Sequence, residues 1–115
     1  MDNENNMSFI KRKPVFSKKI RESAKGQECQ VRIPGVCNFD PSTTVLAHVG
    51  RGSGISQKCD DIHATYACSH CHDAIDGRTS LGDQRLIRLN AYEGMLRTQV
   101  ILLEEGLIEV PSACK

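Results

Sequence analysis

The chain has no tryptophan, and aromatic residues make up only 4% of its 115 positions. Hydrophobic residues reach 39%, so the material for a core is thin. Small domains already bury a lower fraction of their surface than large ones. No run approaches the length of a membrane-spanning helix, and no membrane partner is expected. The N-terminus, MDNENNMSFIKRKPVFSKK, lacks the apolar core of a secretory signal and carries its charges in the wrong order for one. A cytoplasmic protein is the expectation. Excess charge is also missing: the net value of +1 points to no class of partner by itself.

Cysteine is plentiful, with six in the chain. In a reducing compartment, clustered cysteines bind metal more often than they form disulfides. Cys68-x2-Cys71 is a compact chelating pair at what reads as a helix start, where backbone N–H groups stabilise thiolates. Cys29 and Cys37 are spaced more widely. The intervening QVRIPG alternates and then turns at Pro34-Gly35, so a short hairpin would bring both sulfurs together. Two such pairs predict a closed, structural zinc site of four thiolates. A redox C-x-x-C pair would need a βαβ setting, which is lacking. Cys59 and Cys114 remain as ordinary thiols, and His70 should face solvent.

Length predicts one domain. Residues 1–16 are polar, then basic, and broken by Pro14, which predicts a flexible N-terminal arm ahead of a single domain over 17–115. Lys11, Arg12, Lys13, Lys18, Lys19, Arg21 and Lys25 crowd this end. They read equally as a solvated face or as phosphate contacts. Lys18, Lys19, Arg51 and Arg78 are the candidate nucleic-acid contacts. Ser17 can cap a helix that runs to about Lys25, with Gly26 as its stop. TVLAHV (44–49) and IHATYA (62–67) are strand candidates. GRGSGISQ between them lacks phosphate-loop spacing and reads as a connector. Helical pattern resumes at Cys71 and is interrupted at Gly77.

A long helix is expected from about Leu81 to Glu105. Its apolar residues fall at Leu86, Leu89, Tyr92, Met95 or Leu96, Val100 and Leu103, in steps of three and four. Asp83 suits its start and Gly106 its end. That stripe reads most simply as the face turned to the core. The alternative is a dimer seam, which leaves monomer and homodimer both open. Gly94 weakens the helix and suggests close packing on the hairpin.

A histidine on a first strand (VLAH), a loop, a second strand and then C-x-x-C-H opening a helix resembles the HNH branch of the ββα-metal endonucleases. RESAKGQECQVRIPGVCN, LAH, ACSHCHDAIDGRT and EGMLRTQVILLEEGLI are more specifically similar to the prophage-encoded nucleases of the YbcO type, over roughly residues 20–110. The resemblance implies a small α+β domain: an N-terminal helix, a zinc-stapled hairpin, an HNH-like ββα core and a long C-terminal helix. It implies DNA as partner and metal-dependent cleavage of phosphodiester bonds. His48 would activate water, and His72 would help to hold a catalytic divalent metal, magnesium or manganese.

Two positions depart from the HNH pattern. Ala47 stands where an acidic residue or histidine is common, and no asparagine lies near His63. The metal shell would then draw on Asp61, Asp73 or Asp76. Asp76 shares a helix face with His72, four residues away. The rival expectation is a zinc-knuckle module that binds nucleic acid without chemistry. A zinc-stapled protein-interaction adaptor is a third.

Overall fold

In the computed structural model, residues 13–50, 60–79 and 83–111 are described. The first helix, α1 (Lys18–Ser23), starts where Ser17 Oγ accepts from the Ile20 N–H at 3.2 Å, and it buries Ile20. A short 3-10 turn, Pro41–Thr43, then leads into β1 (Val45–His48). The second strand, β2 (Ala64–Ala67), pairs antiparallel with it, setting His48 opposite Ala64 and Ala47 opposite Thr65. Helix α2 (Ser69–Ile75) follows after one residue, capped by Cys68. Gly77 ends it with φ of 76°, a conformation costly for residues with a Cβ. Helix α3 (Gln84–Glu104) is capped by Asp83, whose carboxylate accepts from the Arg85 N–H at 2.7 Å. The class is α+β, with a two-stranded sheet among the described residues.

All four residues of β2 are buried, because α3 lies directly on it. The contact is made by small side chains. A Cβ on Gly94 would come within 2.6 Å of Thr65 Oγ1 and 3.0 Å of the Gln30 carbonyl oxygen. Thr98 Oγ1 accepts from the Tyr66 N–H at 3.0 Å and donates to the Gly94 carbonyl at 2.8 Å. The Gln30 N–H donates to the Tyr66 carbonyl at 2.8 Å. A side chain and a loop thus satisfy the β2 backbone at Tyr66 where a further strand would otherwise do so.

Two expectations need correction. Cys29 to Cys37 is a loop with a tight turn, in which the N–H groups of Val36 and Cys37 both donate to the Ile33 carbonyl. Arg32, at φ 55°, breaks the extended run that a hairpin needs. The stripe of α3 that looked like its core face is also the wrong one. Leu86, Leu89, Tyr92, Leu96, Val100 and Leu103 are exposed, while Ile87, Ala91, Gly94, Thr98 and Leu102 are buried. Close approach to β2 selects small residues, so the bulkiest stripe is excluded from that contact.

Among the described residues, two apolar clusters result. Ile20, Ala24, Tyr66 and Leu102 form one of them. The other is built around Cys29, Cys68 and Cys71 with Val31, Ile33, Ala47, Ala67, Ala74 and Ile87. Sulfurs therefore occupy the centre of the second core.

Candidate metal centre and histidine cleft

The four cysteines of the two predicted pairs converge. Sγ atoms of Cys29, Cys37, Cys68 and Cys71 all lie within 4.8 Å of one another, and none is disulfide-bonded. The turn at Ile33–Cys37 brings in Cys37, and the start of α2 supplies the other pair. Cys68 Sγ accepts from the N–H groups of Cys71 at 3.4 Å and Asn38 at 3.5 Å, as helix-start geometry allows. Cys37 and Cys68 Sγ are 3.8 Å apart. Zn–S bonds of about 2.3 Å give a tetrahedron with edges of about 3.8 Å, which the Cys37–Cys68 separation matches. The Cys71 side chain, hydrogen-bonded to Cys29, lowers the Cys29 thiol to about 4 against the opposing effect of burial. The same bond, with burial, pushes Cys71 up, and burial pushes Cys37 up to about 11. One thiolate thus suppresses ionisation of its neighbours, and a cation among them would remove that suppression. Among the described residues, this is the one group of three or more metal-ligating side chains that meets around a point.

The second centre surrounds His48, the last residue of β1. Its Nε2 lies 2.8 Å from Asp61 Oδ1. Asp61 is wholly buried. Its carboxylate also accepts from the Ser17 N–H at 2.7 Å and from Arg21 Nε at 3.0 and 3.1 Å. Burial pushes this carboxyl up, but hydrogen bonds from Arg21, Ser17 and His48, with the Arg21 charge, outweigh it and hold the group below its ordinary value. An ionised carboxylate can only accept, so the His48 nitrogen that faces it, Nε2, is the donor, and in the neutral imidazole the lone pair then lies on Nδ1. The neighbouring Asp60 accepts from the Val15 N–H at 2.6 Å, and the Asp61 N–H donates to the Val15 carbonyl at 2.9 Å. The chain is therefore fastened from Val15 onward.

His48 lines a cleft of about 780 Å³ together with Asp76, Arg78, Gln84, Arg88 and Tyr92. Its wall joins the end of β1 to α2 and to the first half of α3. Tyr92 packs on Gly50, where a Cβ would stand 3.1 Å from the tyrosine oxygen. The wall of the cleft thus carries two arginines and a carboxylate together with the histidine.

The other expected residues are placed as follows. His72 Nε2 and Asp76 Oδ2 are 3.1 Å apart, on one face of α2 and its cap. Arg78 reaches Asp76 at 3.4 Å and Asp73 at 3.3 Å. Asp61, considered above as a metal ligand, instead holds His48 and Arg21. His70 is exposed, as expected. His63 is also exposed and lies 3.5 Å from Asp60. Lys18 and Lys19 are exposed on α1, and Lys18 pairs with Glu22 at 3.9 Å. Arg51, Cys59, Cys114 and residues 1–12 lie outside the described residues. Arg88, Gln84 and Tyr92 were not anticipated. Their i, i+4 spacing on the long helix carried the only signal, and it could be used only once the buried face of α3 was known.

Fold and site together define a small α+β protein with a four-cysteine cage beside a basic, histidine-containing cleft. The family model for "Putative nuclease YbcO" matches residues 18–107, and the chain belongs to that family. It is 53% identical over 92 residues to proteins of that name from Escherichia coli (strain K12) and Enterobacteria phage 82, covering 78% of this chain and 96% of each relative. A solved structure described as a putative bacteriophage protein from Escherichia coli is 55% identical. It superposes with a TM-score of 0.66, covering 76% of this chain and all of that one. Among the described residues, no helix is long and apolar enough to cross a membrane.

Proposed function

We propose that this protein is a metal-dependent endonuclease of HNH-like type that hydrolyses DNA phosphodiester bonds in a phage or prophage setting. The observation that carries the reading is His48, held by a fully buried carboxylate and lining a cleft that also contains Arg78 and Arg88. The order β1–β2–α2, with His48 on the first strand and His72 on the helix, supports the HNH comparison.

In this mechanism water gives a proton to His48 Nδ1 as its oxygen bonds to phosphorus. The bond from phosphorus to one bridging oxygen breaks, and the departing oxygen takes a proton from solvent. Asp61 orients the imidazole and stabilises the imidazolium that forms. Arg78 and Arg88 neutralise the phosphate as its charge redistributes. His72 and Asp76 would hold a magnesium or manganese ion, which would add electrostatic stabilisation. Cys29, Cys37, Cys68 and Cys71 hold structural zinc, away from the reaction. Lys18, Lys19 and Arg51 extend the phosphate-contacting surface.

One observation favours the non-catalytic binding module instead. Asp76 already lies 3.1 Å from His72 and 3.4 Å from Arg78, so its carboxylate has partners without a metal. The test is incubation of purified protein with supercoiled plasmid and branched DNAs, with magnesium or manganese present or withheld. Metal-dependent nicking is expected. Binding without cleavage under every condition would establish the module.

A further inference from the structure

Helix α3 carries two apolar faces, and β2 uses only one of them. The buried line Ile87, Ala91, Gly94, Thr98 and Leu102 faces the sheet. The exposed line Leu86, Leu89, Leu96, Val100 and Leu103 points about 180° away at 100° per residue. Leu96 is 59% exposed and Leu86 57%. Monomeric proteins rarely leave to water an apolar stripe of this length, interrupted only at Glu93.

Its spacing is that of a coiled-coil seam. Leu89, Leu96 and Leu103 recur every seven residues, and Leu86, Glu93 and Val100 form the interleaved series. The geometry points to a homodimer in which α3 packs antiparallel against α3 of a second copy.

The stripe is self-complementary in a two-fold register. Leu86 then meets Leu103 of the second copy, Leu89 meets Val100, and Leu96 meets Glu93. Charge selects this orientation over the parallel one. Parallel pairing would set Glu93 against Glu93 in the middle of the seam. Antiparallel pairing brings Glu93 beside Arg97 of the second copy, next to the Arg97 it already approaches at 3.7 Å in its own chain. Both side chains are about half exposed; Nη1 of Arg97 is held by the Gln30 carbonyl, while Nη2 faces Glu93 near the dyad. Closed two-fold pairing is also the commonest form of self-association. A 21-residue helix is about 31 Å long. A seam of that length buries roughly 500–600 Å² per copy, at the low end of specific interfaces, so the dimer should be micromolar. The inference does not depend on the nuclease reading.

Sedimentation equilibrium of the full chain tests it. The mass should rise from 12.7 kDa toward twice that value across the micromolar range. Leu96→Glu should raise the dissociation constant roughly a hundredfold or more, since the change is counted in both copies. Its circular dichroism should not change, because the residue touches solvent and not β2. Phe39→Glu, an exposed apolar position off the stripe, should dimerise like wild type. A photo-reactive residue at Leu89 should cross-link to the peptide containing Val100 of the second copy. A 12.7 kDa mass at concentrations up to about 100 µM, an undiminished dimer in Leu96→Glu, or cross-links from position 89 to position 89 would each overturn the proposal.

Discussion

Asp61→Asn separates the role of this carboxylate in the fold from its role in the cleft. Asp61 Oδ1 faces His48 Nε2 at 2.8 Å, Oδ2 faces the Ser17 N–H at 2.7 Å, and Arg21 Nε spans both oxygens. Asparagine has the same shape but one oxygen and one NH2. If the NH2 turns toward Ser17, two buried donors meet, at a cost of about 1–3 kcal/mol. If it turns toward His48, the imidazole must accept at Nε2 and carry its proton on Nδ1. The second arrangement costs less and removes the lone pair that takes the proton from water. Loss of the Arg21 attraction adds under about 1 kcal/mol, because Arg21 is 44% exposed and screened. The variant should therefore remain folded, with roughly 1–3 kcal/mol less stability in urea. Cleavage should fall by about two to four orders of magnitude. The pH dependence has a definite sign. The folded carboxyl lies below its ordinary value of 3.8. Its contribution to stability is therefore complete above that value and is lost as pH falls through the lower folded value. Asp61→Asn should lack this acid-dependent component. A folded variant that cleaves within a few-fold of wild type would refute the orienting role.

Cys68→Ser should unfold the chain or make it insoluble, since structural zinc contributes on the order of 10 kcal/mol in small domains. Cys114→Ser should change little, and elemental analysis should find one zinc per chain in wild type. Gly94→Ala should lower stability by about 1–2 kcal/mol in chemical denaturation, because overpacking against Thr65 and Gln30 outweighs the gain of about 1 kcal/mol in helix propensity. Arg88→Ala should weaken DNA binding and reduce its salt dependence by about one phosphate contact, with no change in melting temperature.

The cysteine cage was legible because chelation is written in short spacings: Cys68-x2-Cys71 at a helix start, and a Pro-Gly turn before Cys37. Both strands and the capped ends of α3 were also legible from local pattern. Local pattern could not give the rotation of α3 about its axis. Leucines dominate hydrophobic periodicity, whereas the contact with β2 is set by Ala91, Gly94 and Thr98, whose value lies in being small. The cleft depends on that rotation, so Arg88 and Tyr92 were hidden with it. The Arg21–Asp61–His48 chain joins residues 40 and 13 positions apart, and only the packing of α1 beside the β2 entrance brings them together. The extended reading of Cys29–Cys37 failed at Arg32, a residue type with no marked preference for positive φ.

The central claim is that His48 is the base in a cleavage reaction, and single-turnover nicking of supercoiled plasmid by wild type and His48→Ala tests it most directly. With manganese or magnesium supplied, wild type should nick the plasmid. His48→Ala should be slower by about two to four orders of magnitude, while it keeps its zinc, its fold and its affinity for DNA. His70→Ala, altered at an exposed position, should match wild type. Equal rates for wild type and His48→Ala would contradict the account.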